Sequence, residues 1–530
     1  MSAKFTSKIR PFSAASLIDS IKLQDLPEWT TLTLYSEGTL VVYESNKYAC
    51  KSTGTSGVNP PVHLSGSASD GSLEWIWVDS INVNQFFKRN MFVFIGKNDE
   101  WDDENTPDEV SVTDSADGET LDNIIVMKRI TQDNCRLAVK RYDWLSGQVY
   151  SPYSDELDPL ATSGPTLYPH PFFVYTEDSN LYKCIDNNNG AVSTIKPVGV
   201  SPSVITLADG YVWKYMGSLE ASDVYFLTRD FIPVKYKTFN DTSPQWTVQQ
   251  AATKNSISSF NIISQKGAFG SNAVVSVVTT DTPSVTCEAH VSRNLDDSLK
   301  QIIVDVPGAG YFSKPEAIVK NAGTAGSGAT VASVTVVAGE VTAVALGNAG
   351  TGYTGGAICI IVDEGGTPTT GATISVVISP SNTVSEINVT DGGAGYSNSA
   401  NCRGYIIPGS AGAVAAAVMA PKDGHGSNIV TELCANTVIV NTRLDEASGY
   451  LLTGVDSDFR QVGLLSEATV FGSSVIADSI YYIGPSHPEY SNATLNRINR
   501  RSGTLLYVTN IKKVLRSDGQ EEDIKIAITF

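Results

Sequence analysis

The motif Gly-x-Gly-Tyr occurs three times at a nearly constant interval, and that interval constrains the fold more than any other feature. The copies are Gly308-Ala309-Gly310-Tyr311, Gly350-Thr351-Gly352-Tyr353 and Gly393-Ala394-Gly395-Tyr396, with tyrosines 42 and 43 residues apart. Each marker follows a run of alternating polarity, such as residues 341–346 or 384–389. Gly328-Ala329-Thr330-Val331 and Gly371-Ala372-Thr373-Ile374 share one phase between markers, and Gly412-Ala413-Val414 begins a truncated last copy. A period this long and regular means one supersecondary unit used several times. Three or four short strands are expected in each unit. The glycines permit a tight turn, and the tyrosine packs across it. A glycine-rich loop that cradles phosphate needs a strand–loop–helix context with a lysine. Here one strand leads to another, so nucleotide binding is not expected. Residues 266–422 read as an inserted β array serving as a spacer or contact surface.

A second pattern lies upstream. Leu181-Tyr182-Lys183-Cys184-Ile185 alternates along one strand, and Tyr211-Val212-Trp213-Lys214-Tyr215-Met216 along another. Asn187-Asn188-Asn189-Gly190 and Lys196-Pro197-Val198-Gly199 lie between them, and Asp209-Gly210 supplies a turn before Tyr211. Nothing in this pattern is catalytic.

Further segments accompany it in order. They are Thr6-Ser7-Lys8-Ile9-Arg10 with Ser16-Leu17-Ile18-Asp19-Ser20-Ile21, then Met91-Phe92-Val93-Phe94-Ile95-Gly96-Lys97 with Trp101. Val139-Lys140-Arg141-Tyr142-Asp143-Trp144 follows with Tyr150 and Pro152, and the last is Asp523-Ile524-Lys525-Ile526-Ala527-Ile528-Thr529-Phe530. Together these segments resemble the baseplate wedge subunit of contractile-tailed phages, the gene product eight family of the T-even-like viruses. The resemblance covers about half of the chain; the chain is longer than the family's plain form, and two segments look inserted. It implies a structural subunit of the virion tail, assembled in the host cytoplasm and homodimeric within each wedge. The implied partners are the other wedge proteins, both the inner ring and the peripheral fibre-carrying subunits. Tyr182, Asp209, Gly210, Tyr211, Trp213 and Tyr215 are then residues that define the fold.

The expected fold is mainly β. A multi-domain β-sandwich body spans residues 1–27, 81–265 and 423–530, with a small inserted β module at 28–80 and the inserted array at 266–422. A chain of 530 residues accommodates two to four cores. Charged residues make up only 18%, and glycine is abundant, which favours strands and tight turns over long helices. A net charge of −19 argues against broad nucleic-acid binding, which needs clustered lysine and arginine. No run of 18 apolar residues occurs, so no membrane helix is expected, and the N-terminus shows no signal-peptide pattern. The seven cysteines lack any Cys-x-x-Cys pair and read as buried reduced thiols.

Residues 12–23 form a short helix with Leu17, Ile18 and Ile21 on one face. The acidic stretch 99–122 lacks the glycine and the register of a calcium loop and reads as a solvated loop. In the 28–80 module, Trp75 and Trp77 share one face of a strand. Two readings stand for Trp75, Trp77 and Tyr48. They fill a small core or meet a neighbouring subunit, or they stack on sugar rings of a host surface glycan. Asn428 caps a short helix with Glu432 in its first turn, and His425 between two glycines suits a turn. Strands are expected near 437–442, 450–453, 469–472, 479–483, 504–509 and 524–530, the last pairing near the N-terminal part.

No serine nucleophile elbow, His-Glu-x-x-His or P-loop occurs, so no catalytic, cofactor or metal site is expected and the chain reads as a non-enzyme. A glycosidase needs only two carboxylates from distant strands, which a sequence does not place. A capsule depolymerase would call for a long β-helix with many equal rungs, and three copies fit that poorly. The structural wedge reading leads, and a tail-peripheral glycan receptor is the alternative.

Overall fold

The computed structural model describes residues 3–5, 14–18, 26–44, 46–80, 91–96, 99–110, 114–444, 458–470, 481–482, 498–499, 502–515 and 522–530. The chain is mainly β with many antiparallel sheets, as its composition predicts. It divides into two units. Met1–Arg141, Leu219–Asn240 and Leu433–Phe530 form the first, and Tyr142–Ser218 with Asp241–Glu432 form the second. The small module thus belongs to the first unit. The second unit joins the array to residues 142–218 and 241–265, which the sequence boundaries group with the body. The segments Thr6–Arg10 and 450–453 lie outside the described residues.

In the first unit, the strand Met91–Gly96 is buried along its whole length. Its residues alternate between two cores, as the period of two demands. Met91, Val93 and Ile95 face one, and Phe92 and Phe94 face the other. The first core lies between two sheets. One is six-stranded, in the order Ala3–Phe5, Thr504–Val514, Phe459–Ser466, Met91–Gly96, Ile124–Arg129, Tyr481–Tyr482. The other is four-stranded, in the order Phe231–Val234, Cys135–Lys140, Thr437–Leu444, Glu522–Thr529. Val438, Val440, Ile524, Ile526 and Ile528 meet the first sheet there. Each such side chain contributes roughly 1.5–3 kcal/mol when fully buried. Residues 14–18 are helical, and Ala14, Leu17 and Ile18 join this core. The last strand pairs with Thr437–Leu444, while Ala3–Phe5 pairs with Thr504–Val514. The expectation of a last strand next to the N-terminal part is therefore corrected: the two lie in different sheets.

The acidic stretch also differs from its reading as a loop. Asp114–Asp122 is an α-helix. Leu121 packs on the second core beside Phe92 and Phe94. The 28–80 module holds a four-stranded sheet in the order Leu40–Tyr43, Asn46–Cys50, Leu73–Ser80, Ser67–Asp70.

In the second unit, each copy of the repeat is a hairpin, a Gly-x-Gly-Tyr marker and one further strand. The hairpins are Glu288–Arg293 with Leu299–Val306, Ser327–Val337 with Glu340–Thr351, and Thr373–Ile378 with Val384–Asp391. The strands after the markers are Glu316–Lys320, Ala357–Asp363 and Cys402–Pro408. All three marker tyrosines are buried. Each hydroxyl accepts a hydrogen bond from the backbone N–H 24 residues upstream: Cys287 to Tyr311 at 2.8 Å, Ala329 to Tyr353 at 3.2 Å, and Ala372 to Tyr396 at 2.7 Å. The marker glycine is needed for two reasons. Gly350 has φ +59°, and a Cβ there would lie 2.9 Å from the ring of Tyr353 and 2.4 Å from the nitrogen of Ala329. The array is thus a row of tyrosine latches. Gly412–Met419, expected to start a truncated copy, instead pairs with Ile257–Lys266 on one side and Glu316–Lys320 on the other. It forms no hairpin of its own.

Candidate functional site

Two places bear on function. The first is the small module. Trp75 and Tyr48 are fully buried in its core, so neither presents a ring face to a sugar. Asp70 organises that core: its carboxylate accepts the indole N–H of Trp75 at 2.8 Å, the indole N–H of Trp29 at 3.0 Å and the backbone N–H of Gly57 at 2.5 Å. Tyr35 packs edge-on against Trp75, and the Tyr48 hydroxyl donates to the His63 carbonyl. The reading of Trp75 and Tyr48 as sugar-stacking residues is corrected, because a module this small needs its largest rings as core. Trp77 is half-buried at the edge of the same cluster and donates to Asn46 Oδ1 at 3.2 Å. The large apolar side chains that the module leaves most exposed are aliphatic: Leu32, Leu34, Val58, Val62 and Leu64 are each 65–70% exposed.

The second place is the aromatic pattern of the second unit. Asn180–Asn187 and Tyr211–Ser218 are neighbouring antiparallel strands, with Tyr182 opposite Tyr215 and Cys184 opposite Trp213. Tyr182, Tyr211, Trp213 and Tyr215 are fully buried and share one cluster with Tyr150 and Val174. Tyr211 and Trp213 stack at 5.6 Å, and Tyr150 meets Trp213 edge-on at the same distance. Asp209 and Gly210 build the turn. The Asp209 carboxylate accepts from Thr194 N at 2.8 Å and Ile195 N at 3.0 Å. Gly210 has φ +85°, and a Cβ there would lie 2.5 Å from the Asn188 side chain.

The opposite face of the same two strands carries charge. Lys183 and Lys214 are direct cross-strand partners, an arrangement in which like charges repel. Both are buried, Lys183 completely and Lys214 at 6% exposure. One carboxylate answers them. Glu432 forms an ion pair with Lys183 in which both groups are buried. The helix Ile429–Glu432 places it there: Asn428 caps that helix through Val430 N at 3.0 Å and Thr431 N at 3.3 Å. Glu432 in return accepts from Asn428 N at 3.0 Å, Gly426 N at 3.1 Å and Ser427 Oγ at 3.2 Å. Burial by itself would push the Glu432 carboxyl up. The Lys183 ammonium overrides it and holds that carboxyl well below the usual carboxylate range.

His425 completes the cluster. Its Nε2 lies 2.8 Å from Ser258 Oγ, its Nδ1 faces Glu432 at 3.8 Å, and its ring meets Tyr153 edge-on. The line-up of serine, histidine and carboxylate resembles a nucleophilic triad only in order. Burial, reinforced by the charge of Lys183, pushes the imidazole down to about 3. Such a ring is a poor base for a serine proton near neutrality. Burial likewise pushes Lys214 down to about 8.

A cavity of about 270 Å³ opens beside the cluster, with Lys214, His425, Ser258 and Asp186 in its wall. Asp186 is half-buried, and the loss of water around it raises its carboxyl to about 6 although the N–H of Asn188 and the Gln301 side chain hold it down. The sequence reading missed this cluster. Its signal is the lysine at the centre of each aromatic strand, a costly place for charge unless a partner is built for it. The partner is 249 residues from Lys183 in the chain, so spacing does not reveal it. Comparison of the chain with protein-family models and with curated proteins finds no match in either.

Proposed function

We propose that the chain is a structural component of the baseplate wedge of a contractile phage tail, holding wedge subunits together and transmitting their rearrangement on host attachment. Its partners in this reading are the inner ring and peripheral fibre-carrying wedge proteins and a second copy of itself, within a virion assembled in the host cytoplasm. The ordered motifs from Ser16 to Phe530 support the family. The observation that favours bracing over glycan capture is the surface of the small module. It buries Trp75 and Tyr48 and exposes five leucines and valines, a surface suited to protein contact. Repacking of such interfaces, rather than chemistry, is the mechanism.

The alternative, a glycan receptor at the tail periphery, draws on the half-buried rings of Trp29, Tyr43 and Trp77. A cryo-EM map of the intact virion decides between them. Density for this chain within the wedge, with Leu32, Leu34 and Val58 against a neighbouring subunit, is the expected result. A chain that projects at the tail periphery with Trp77 facing solvent overturns the wedge reading.

A further inference from the structure

We propose that the cavity beside Lys214 binds a small organic carboxylate that also carries hydroxyl groups. The charges of the cluster do not balance. Lys183 and Lys214 face each other, and Glu432 is the carboxylate built between the elements that hold them. Each Glu432 oxygen is already engaged, Oε2 by Lys183 and Gly426 N, Oε1 by Ser427 and Asn428 N. Little acceptor capacity is left for Lys214. Among the described residues, the Lys214 ammonium bonds only to the carbonyl of Pro202. An ammonium has three donors, so two remain, on a side chain that is buried and lines the cavity. A buried cation without a carboxylate partner is costly, and an anion in the cavity removes that cost.

The cavity narrows the class of anion. At about 270 Å³ it lies near the lower end of ligand pockets. Val204, Val212, Ile257 and Ile302 make much of its wall apolar, which suits a carbon skeleton. Ser258 and His425 add polar atoms at the Lys214 end. Asp186, whose Oδ1 accepts from Asn188 N at 2.8 Å, and Asp305 also lie in the wall. Asp305 is engaged by His290 Nδ1 at 2.8 Å, which leaves Asp186 as the carboxylate that accepts from ligand hydroxyls and repels a multiply charged inorganic anion. The combination calls for one negative group beside Lys214 and hydroxyl donors elsewhere on the same carbon skeleton.

The test uses the full chain with D-glucuronate as the probe, followed by calorimetry and by saturation-transfer NMR. Glucuronate binds, and D-glucose, of similar size without the charge, binds about tenfold more weakly or less, the scale of a lost charged hydrogen bond. Lys214→Met loses glucuronate binding by a similar factor while unfolding at the same or a higher temperature. Should that variant fail to fold, Ser258→Ala provides a second reading, with binding weakened several-fold. The proposal is overturned if wild type does not bind glucuronate, if glucose binds equally, or if Lys214→Met binds as wild type does. Displacement of glucuronate by equimolar inorganic phosphate also overturns it, in favour of a general anion site.

Discussion

Each unit buries a cation, and the two are treated in opposite ways. In the first unit, Arg460 is 2% exposed and meets Glu104 at 2.7 Å and Asp458 at 2.8 Å, with Glu100 at 3.6 Å. Carboxylates outnumber the arginine, and Glu104 keeps 36% of its side chain in solvent. In the second unit, two lysines share the single carboxylate of Glu432, which is 2% exposed. The first arrangement is a closed structural knot. Among the described residues, the second leaves one cation bonded only to a carbonyl, next to open space. The difference teaches where to look for a ligand: at the cluster whose charges do not balance inside the protein.

Four measurements break or sharpen that contrast. The largest effect is expected from Glu432→Gln, which takes away the charge of the carboxylate paired with Lys183 and weakens the cap around Asn428. The unfolding free energy of the second unit should fall by about 3–5 kcal/mol in a denaturant titration. A loss below about 1 kcal/mol would mean that the pair is not the keystone described here. Next, Glu432→Gln combined with Lys183→Met should recover much of that loss, since the uncompensated charge is then removed as well. A double variant no better than the single one breaks the electrostatic account. Third, Arg460→Met should cost less than Glu432→Gln, because Glu104 can rehydrate where Lys183 cannot. Equal losses in the same titration would erase the contrast between the units.

The smallest effect is a matter of pH. Lys214 titrates near 8 in the folded chain, below its ordinary 10.5. Between these values the unfolded chain holds a proton that the folded one has released, so wild-type stability rises with pH across that window. Lys214→Met lacks this rise. Its melting temperature should match or exceed that of wild type at pH 7, and the advantage should shrink steadily toward pH 10.5. An advantage that stays constant from pH 7 to 10.5 would show that Lys214 has a strong partner in the folded state.

The sequence made the array and the strand pattern readable, and for a local reason. Gly350 and Tyr353 act within one turn, and the latch reaches only as far back as Ala329. The alternation of Met91 to Gly96 is equally local, and the two faces it implies are both present. The face shared by Trp75 and Trp77 was readable too, but not which way it points. That depends on Asp70, whose carboxylate turns the Trp75 indole inward. The buried cluster was the least accessible. Lys183, Lys214 and Glu432 come from two strands and a four-residue helix, and only the fold brings them together. The acidic stretch misled because charge marked it as solvated, while Leu121 and the buried Thr120 hold a helix against the protein.

The tyrosine latches carry a consequence for biogenesis. A growing polypeptide that has just reached Tyr311 already contains Cys287, the whole of its first latch. The second closes at Tyr353 and the third at Tyr396, each without waiting for residues still to be added. A closure over 24 residues carries a modest entropic cost that grows only slowly with length. Short-range contacts of this kind are also the ones that form fastest. The latches can therefore close in the order in which they leave the ribosome, while the strand Glu316–Lys320 still awaits its partner Gly412–Met419.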